Sequence, residues 1–157
     1  MTITEGKKAP KIKLKDKEGI VYSLSDFTEK YIVIFFYPKD DTPGCTIETK
    51  EFSKNLAKFA KENIKVIGIS GGDEKTKQKF CDKYNLKVLL LSDTDFKVAD
   101  SYGVYGEKQF MGKKYMGISR TTFILDEDRK IIKVFEAVKP EGHTAEVLEF
   151  IKVFDKS

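Results

Sequence analysis

The chain has 157 residues, of which 40% are hydrophobic and 34% charged, with 29 Lys and Arg against 25 Asp and Glu for a net charge of +4. That length suits one domain, spanning residues 1–157, with a single sizeable core. The small basic excess is spread along the chain and never forms a block of like charge, which argues against a nucleic-acid-binding surface. No apolar run approaches the ~20 residues of a membrane span, and the polar first ten residues lack the apolar segment of a secretory signal. A cytoplasmic location with no membrane attachment is therefore expected. Two cysteines in a reducing compartment are not expected to form a permanent staple, which leaves buried, catalytic or redox-active roles.

In chain order, residues 11–14 and 20–24 flank Asp16-Lys17-Glu18-Gly19 and read as an opening β-hairpin, with Gly19 relaxing the turn. Residues 31–37 are an unbroken run of β-branched and aromatic side chains, the pattern of a central strand buried on both faces. Pro38 ends it, and a loop leads to Cys45. From there Phe52, Leu56, Phe59 and Ala60 recur at helical spacing. A second buried strand covers 64–70, a helix 74–84, and a third apolar strand 86–91. Asp93 or Thr94 can cap a helix running to about residue 102. Residues 103–117, rich in Gly and Lys, read as a loop. Residues 121–126 and 131–137 read as paired strands, and a last helix over 144–155 puts Val147, Leu148, Ile151 and Phe154 on one face. Strand and helix alternate over the first two-thirds, which predicts an α/β, thioredoxin-like fold. Its central mixed β-sheet is flanked by helices and preceded by an N-terminal hairpin.

Cys45 falls where a buried strand has ended and an amphipathic helix begins. The first turn of a helix carries unsatisfied N–H groups and a partial positive charge, and these favour the thiolate, the nucleophilic form of cysteine. Pro38 and Pro43 stiffen the loop, Gly44 allows close backbone approach, and the Thr42 hydroxyl can donate to the sulfur or to a bound oxygen. On local chemistry alone, a small half-buried cysteine beside a turn explains the same residues equally well.

The string Pro38-Lys39-Asp40-Asp41-Thr42-Pro43-Gly44-Cys45-Thr46 resembles the active-site loop of the peroxiredoxins, P-x-x-x-T-x-x-C. The fuller YPKDDTPGCT is similar to the Q-type subfamily, also called bacterioferritin comigratory protein. The likeness extends over nearly the whole chain, through Leu91-Ser92-Asp93 and the run from Ile118 through Arg120 to Asp126. The resemblance implies a thiol peroxidase that reduces hydrogen peroxide and organic hydroperoxides and is recycled by thioredoxin or a similar dithiol. Cys45 would be the peroxidatic cysteine, Thr42 would hydrogen-bond the peroxide, and Pro38 would shield the thiolate. Arg120 would supply a fixed positive charge for the thiolate and for the breaking O–O bond. Many subfamily members carry a resolving cysteine five residues after the first, where this chain has Lys50. Others carry it on the following helix, which here points to Cys81 and a Cys45–Cys81 disulfide formed through local unwinding. The alternative for Cys81 is a core residue beside Phe80 and Tyr84. The resemblance implies a monomer and no cofactor.

Rival signals are thin. His143, the one histidine, lacks the companions of a Cys-His protease and reads as a surface or helix-start residue. Two cysteines and one histidine do not make a structural zinc set. Ser70-Gly71-Gly72-Asp73 lacks the end of a phosphate-binding loop and reads as a turn and helix cap. The competing function is a redox-responsive binding protein in which Cys45 oxidation signals to a partner. Turnover of peroxide separates the two.

Overall fold

The computed structural model describes residues 5–156. The main sheet has seven strands: β1 (Lys13–Lys15), β2 (Val21–Ser23), β3 (Tyr31–Phe36), β4 (Ile64–Ser70), β5 (Leu89–Ser92), β8 (Thr121–Leu125) and β9 (Ile131–Phe135). Their order is β2-β1-β5-β4-β3-β8-β9. Strands β3, β4 and β5 are parallel to one another, and β1, β2, β8 and β9 add antiparallel pairs. The helices are α1 (Pro43–Lys54), α2 (Leu56–Lys61), α3 (Glu74–Tyr84), α4 (Lys97–Ser101) and α5 (His143–Lys156).

All six residues of β3 are buried, because both faces of this strand are covered. Side chains of a strand alternate in direction. Val33 and Phe35 accordingly join Phe52, Phe59, Phe80, Val147 and Ile151 in one core, and Ile32, Ile34 and Phe36 join Ile67, Ala99, Tyr102 and Phe123 in the other. The expected opening hairpin is present. Asp16 Oδ1 accepts from the N–H groups of Glu18 and Ile20 at 2.9 and 3.0 Å, and Gly19 takes φ +80°.

Four expectations are corrected. The segment read as a loop over 103–117 is a separate two-stranded hairpin, β6 (Tyr105–Phe110) and β7 (Lys113–Ile118). Its turn residues, Met111 and Gly112, both take positive φ, +51° and +80°, the backbone of a tight hairpin turn. The strand expected over 86–91 begins only at Leu89. Asn85 ends α3 in the left-handed conformation, and the N–H of Lys87 turns to Ser53 Oγ at 2.5 Å instead of to a ladder. The helix expected from Asp93 starts at Lys97. Asp93 nonetheless serves it, accepting from the N–H groups of Val98 and Ala99 at 3.2 and 2.7 Å. The single helix expected after Cys45 breaks at Asn55, whose side chain bonds back to the Glu51 carbonyl at 2.7 Å.

Candidate active site

Tyr37 and Pro38 leave the C-terminal end of β3, and the chain crosses a short loop into α1. Thr42 is the extended residue at the helix start, Pro43 opens the first turn, and Cys45 lies within that turn. Pro43 suits this position, where its missing N–H costs nothing. Strand β8 runs antiparallel to β3 with Thr121 opposite Phe36, which brings Arg120 to the same sheet edge as the loop.

There Arg120 Nη2 stands 3.3 Å from Cys45 Sγ, and its Nη1 donates to Glu48 Oε1 at 2.8 Å. Cys45 and Glu48 are three residues apart and share a helix face. Gly44 makes room for the guanidinium, since a Cβ there would stand 3.0 Å from Nη2 and 3.2 Å from Pro140 Cγ. Cys45 and Glu48 are fully buried. Burial lifts the Glu48 carboxyl from 4.5 to about 7, although the adjoining Arg120 charge works against the rise. Its second oxygen, Oε2, has no hydrogen-bond partner among the described residues.

Of the remaining residues singled out from the sequence, Thr42 is half-buried, and its hydroxyl donates to the Lys39 carbonyl at 3.0 Å rather than to the sulfur. Pro38 is half-buried at the start of the loop. Cys81 lies in α3, buried, and both thiols are free. Lys50 holds its ammonium 5.5 Å above the Tyr84 ring, one turn past Cys81. His143 is at a helix start as expected, but it is buried rather than on the surface. Its ring bridges Thr122 Oγ1 at 2.8 Å and Glu146 Oε1 at 2.9 Å, and it meets Phe52 and Phe135 edge-on. Glu48, which sequence reasoning passed over, was accessible from its spacing to Cys45. A groove of about 420 Å³ lined by Val104, Lys108, Arg120 and Glu136 opens beside the site. Among the described residues no group of His, Cys, Asp and Glu is placed to hold a metal ion, and no helix is long and apolar enough to cross a membrane.

The family model described as "AhpC/TSA family" matches residues 5–134. The chain belongs to the AhpC/TSA family. Within it, the chain is similar to Peroxiredoxin Bcp of Bacillus subtilis, at 43% identity over 152 residues covering 97% of each chain. Among solved structures it is similar to a cysteine-to-serine mutant of Xylella fastidiosa PrxQ, with a TM-score of 0.92, 31% identity and 99% of each chain covered. It is likewise similar to the bacterioferritin comigratory protein of Xanthomonas campestris, with a TM-score of 0.88, 32% identity and 98% of each chain covered. The chain is thus a peroxiredoxin of the Bcp, or Q, type with a thioredoxin-like fold. By class it is a peroxidase, an oxidoreductase. In this peroxiredoxin Arg120, the cysteine of the motif and Glu48 meet within one hydrogen-bond network.

Proposed function

We propose that Cys45 is the peroxidatic nucleophile of a thiol-dependent peroxidase acting on hydrogen peroxide and organic hydroperoxides. The observation that carries this reading is the contact between Arg120 Nη2 and Cys45 Sγ in the first turn of α1. A cation fixed against the sulfur favours the thiolate and steadies negative charge as the O–O bond breaks. The thiolate attacks the terminal oxygen of ROOH. An S–O bond forms, the O–O bond breaks, and the departing alkoxide takes a proton to leave as an alcohol, or as water from hydrogen peroxide. Cys45 is left as a sulfenic acid. Thr42, whose hydroxyl rests on the Lys39 carbonyl, turns to the peroxide, and Pro38 screens the sulfur from water. The Xanthomonas relative, whose structure is described for its alkyl peroxide reduction activity, supports the organic hydroperoxides as substrates.

Cys81 then resolves the sulfenic acid as an intramolecular disulfide, which thioredoxin or a similar dithiol reduces. Both thiols are buried within helices, and a disulfide needs Cα atoms within roughly 7 Å. Resolution therefore proceeds through unwinding of the first turn of α1 and of the Cys81 segment, supporting antioxidant defence and redox homeostasis. The chain acts as a single-domain monomer in the cytoplasm.

The test is a coupled assay with thioredoxin, its reductase and NADPH on the wild type, Cys45→Ser and Cys81→Ser. Sustained turnover by the wild type, none by Cys45→Ser and impaired recycling by Cys81→Ser support the reading. A single stoichiometric reaction without turnover overturns it in favour of a redox-responsive binding protein.

A further inference from the structure

Two neighbouring carboxylates tie the Cys45 loop to the helix that carries Cys81. Asp40 Oδ2 accepts from Lys77 Nζ at 3.1 Å, and both side chains are 0% exposed. Lys77 also donates to Ser70 Oγ at 2.7 Å and to the Gly72 carbonyl at 3.2 Å, while Tyr37 Oη donates to Asp40 Oδ1 at 2.5 Å. Asp41, held at φ +59°, accepts from Lys83 Nζ at 3.0 Å and from Tyr84 Oη at 2.8 Å. Cys81 sits between these two attachments. It lies one helical turn after Lys77, and the two share the buried face of α3 with Phe80.

A buried ion pair is weak as a stabilising device, since apolar residues of similar volume often do as well. Its location suggests other work. We infer that Asp40 and Lys77 form a switch that keeps the Cys81 thiol unreactive while the Cys45 loop is docked, and that Lys77 promotes the Cys81 thiolate once the loop has left. This rests on Cys81 being the resolving thiol.

The charged groups that act on Cys81 are Lys17 in the turn between β1 and β2, Asp40 in the loop, and Lys77 and Asp82 on its own helix. Asp16, Lys65 and Lys87 line the small cavity beside it. Burial pushes the Cys81 thiol up, Lys17 and Lys77 pull it down, and Asp40 and Asp82 oppose them. When the loop unwinds, Asp40 departs. A negative neighbour is lost, and removal of the loop packed on Lys77 opens its ammonium to water, relieving the burial that pulls its pKa down in the docked state. An ammonium that stays charged without its carboxylate partner favours the thiolate. The Cys81 thiol gives up its proton, and its sulfur attacks the Cys45 sulfenic sulfur. The S–S bond forms, the S–O bond breaks, and the hydroxide leaves with a proton as water. The resolving thiol is thereby activated only after the motion that brings it within reach.

The test follows disulfide formation by rapid mixing after one equivalent of hydrogen peroxide, across the pH range in which thiols titrate. The preceding oxidation of Cys45 is read separately as the internal reference. Lys77→Met should move the pH midpoint of resolution upward. At neutral pH it should lower the ratio of resolution rate to oxidation rate by about tenfold, because the thiolate fraction falls tenfold for each pH unit the midpoint rises. Lys77→Arg, which keeps the charge, should restore the midpoint, and Asp40→Asn should leave it at or below the wild-type value. A wild-type midpoint in Lys77→Met, or a raised one in Asp40→Asn, overturns the inference. Should the unpaired Asp40 keep Lys77→Met from folding, the double variant Asp40→Asn with Lys77→Met removes both charges. A raised midpoint there supports the switch, and an unchanged one overturns it. If the wild type forms no Cys45–Cys81 disulfide, the resolving role fails and the switch with it. If the disulfide forms and no variant moves the midpoint, the switch alone fails.

Discussion

Arg120 serves Cys45 with one arm of its guanidinium and Glu48 with the other, at 3.3 Å to the sulfur and 2.8 Å to the carboxylate. The fork geometry lets a single cation face the thiol while a buried carboxylate holds it in place. Because Glu48 is reached from the same helix face as Cys45, any movement of α1 changes both contacts at once.

Removing that cation should slow the peroxide reaction. Arg120→Met is expected to lower kcat/KM for hydrogen peroxide by roughly 100- to 1000-fold, the usual effect of losing a charge-stabilising donor. Arg120→Lys should recover only part of the loss, because an ammonium cannot span the sulfur and Glu48 together. Competition kinetics against a second peroxidase measures both. A near-wild-type rate for Arg120→Met contradicts the role.

Glu48 should leave a mark on stability against pH. Its carboxyl is raised from 4.5 to about 7 in the folded protein, mainly by burial. Between those values the folded chain holds a proton that the unfolded chain has released. Stability from this group is therefore full in acid and falls as the pH rises towards 7, by on the order of 3 kcal/mol at most. Glu48→Gln should flatten this fall. Urea unfolding of both proteins over the same pH range checks it, and parallel pH profiles refute it.

Gly72 should not tolerate a side chain. An added Cβ would stand 2.1 Å from Asp40 Oδ2, an atom fixed by the buried Lys77 contact. Gly72→Ala is expected to cost roughly 1–3 kcal/mol, in the range of overpacking a buried site. A lowered urea midpoint confirms the clash, and an unchanged midpoint shows that the network yields.

Much of this was legible in the sequence because the physics was local. The all-apolar, β-branched and aromatic run of β3 read as a strand covered on both faces, and the Cys45 loop and Arg120 carried a long motif. The β6–β7 hairpin escaped because its strands are mostly exposed, with Glu107, Lys113 and Lys114 among the exposed residues. Its turn is Met-Gly rather than one of the Asn- or Asp-led pairs that announce such a turn. Asp40 and Lys77 escaped for another reason. Each looks like a surface charge in its own segment, and their burial exists only once the loop and α3 are packed together. Spacing gave one clue, since Lys77 falls on the same helical face as Phe80 and Cys81. The burial of His143, though not its place at a helix start, escaped likewise, because its two bonding partners lie on β8 and one turn along α5.

The most direct measurement treats the Cys81→Ser protein with one equivalent of hydrogen peroxide in the presence of dimedone and maps the adduct by peptide mass spectrometry. With the resolving thiol removed, the sulfenic acid should persist long enough to be trapped, and the adduct should lie on the peptide containing Cys45. A Cys45 peptide that stays unmodified while peroxide is consumed would contradict the central claim.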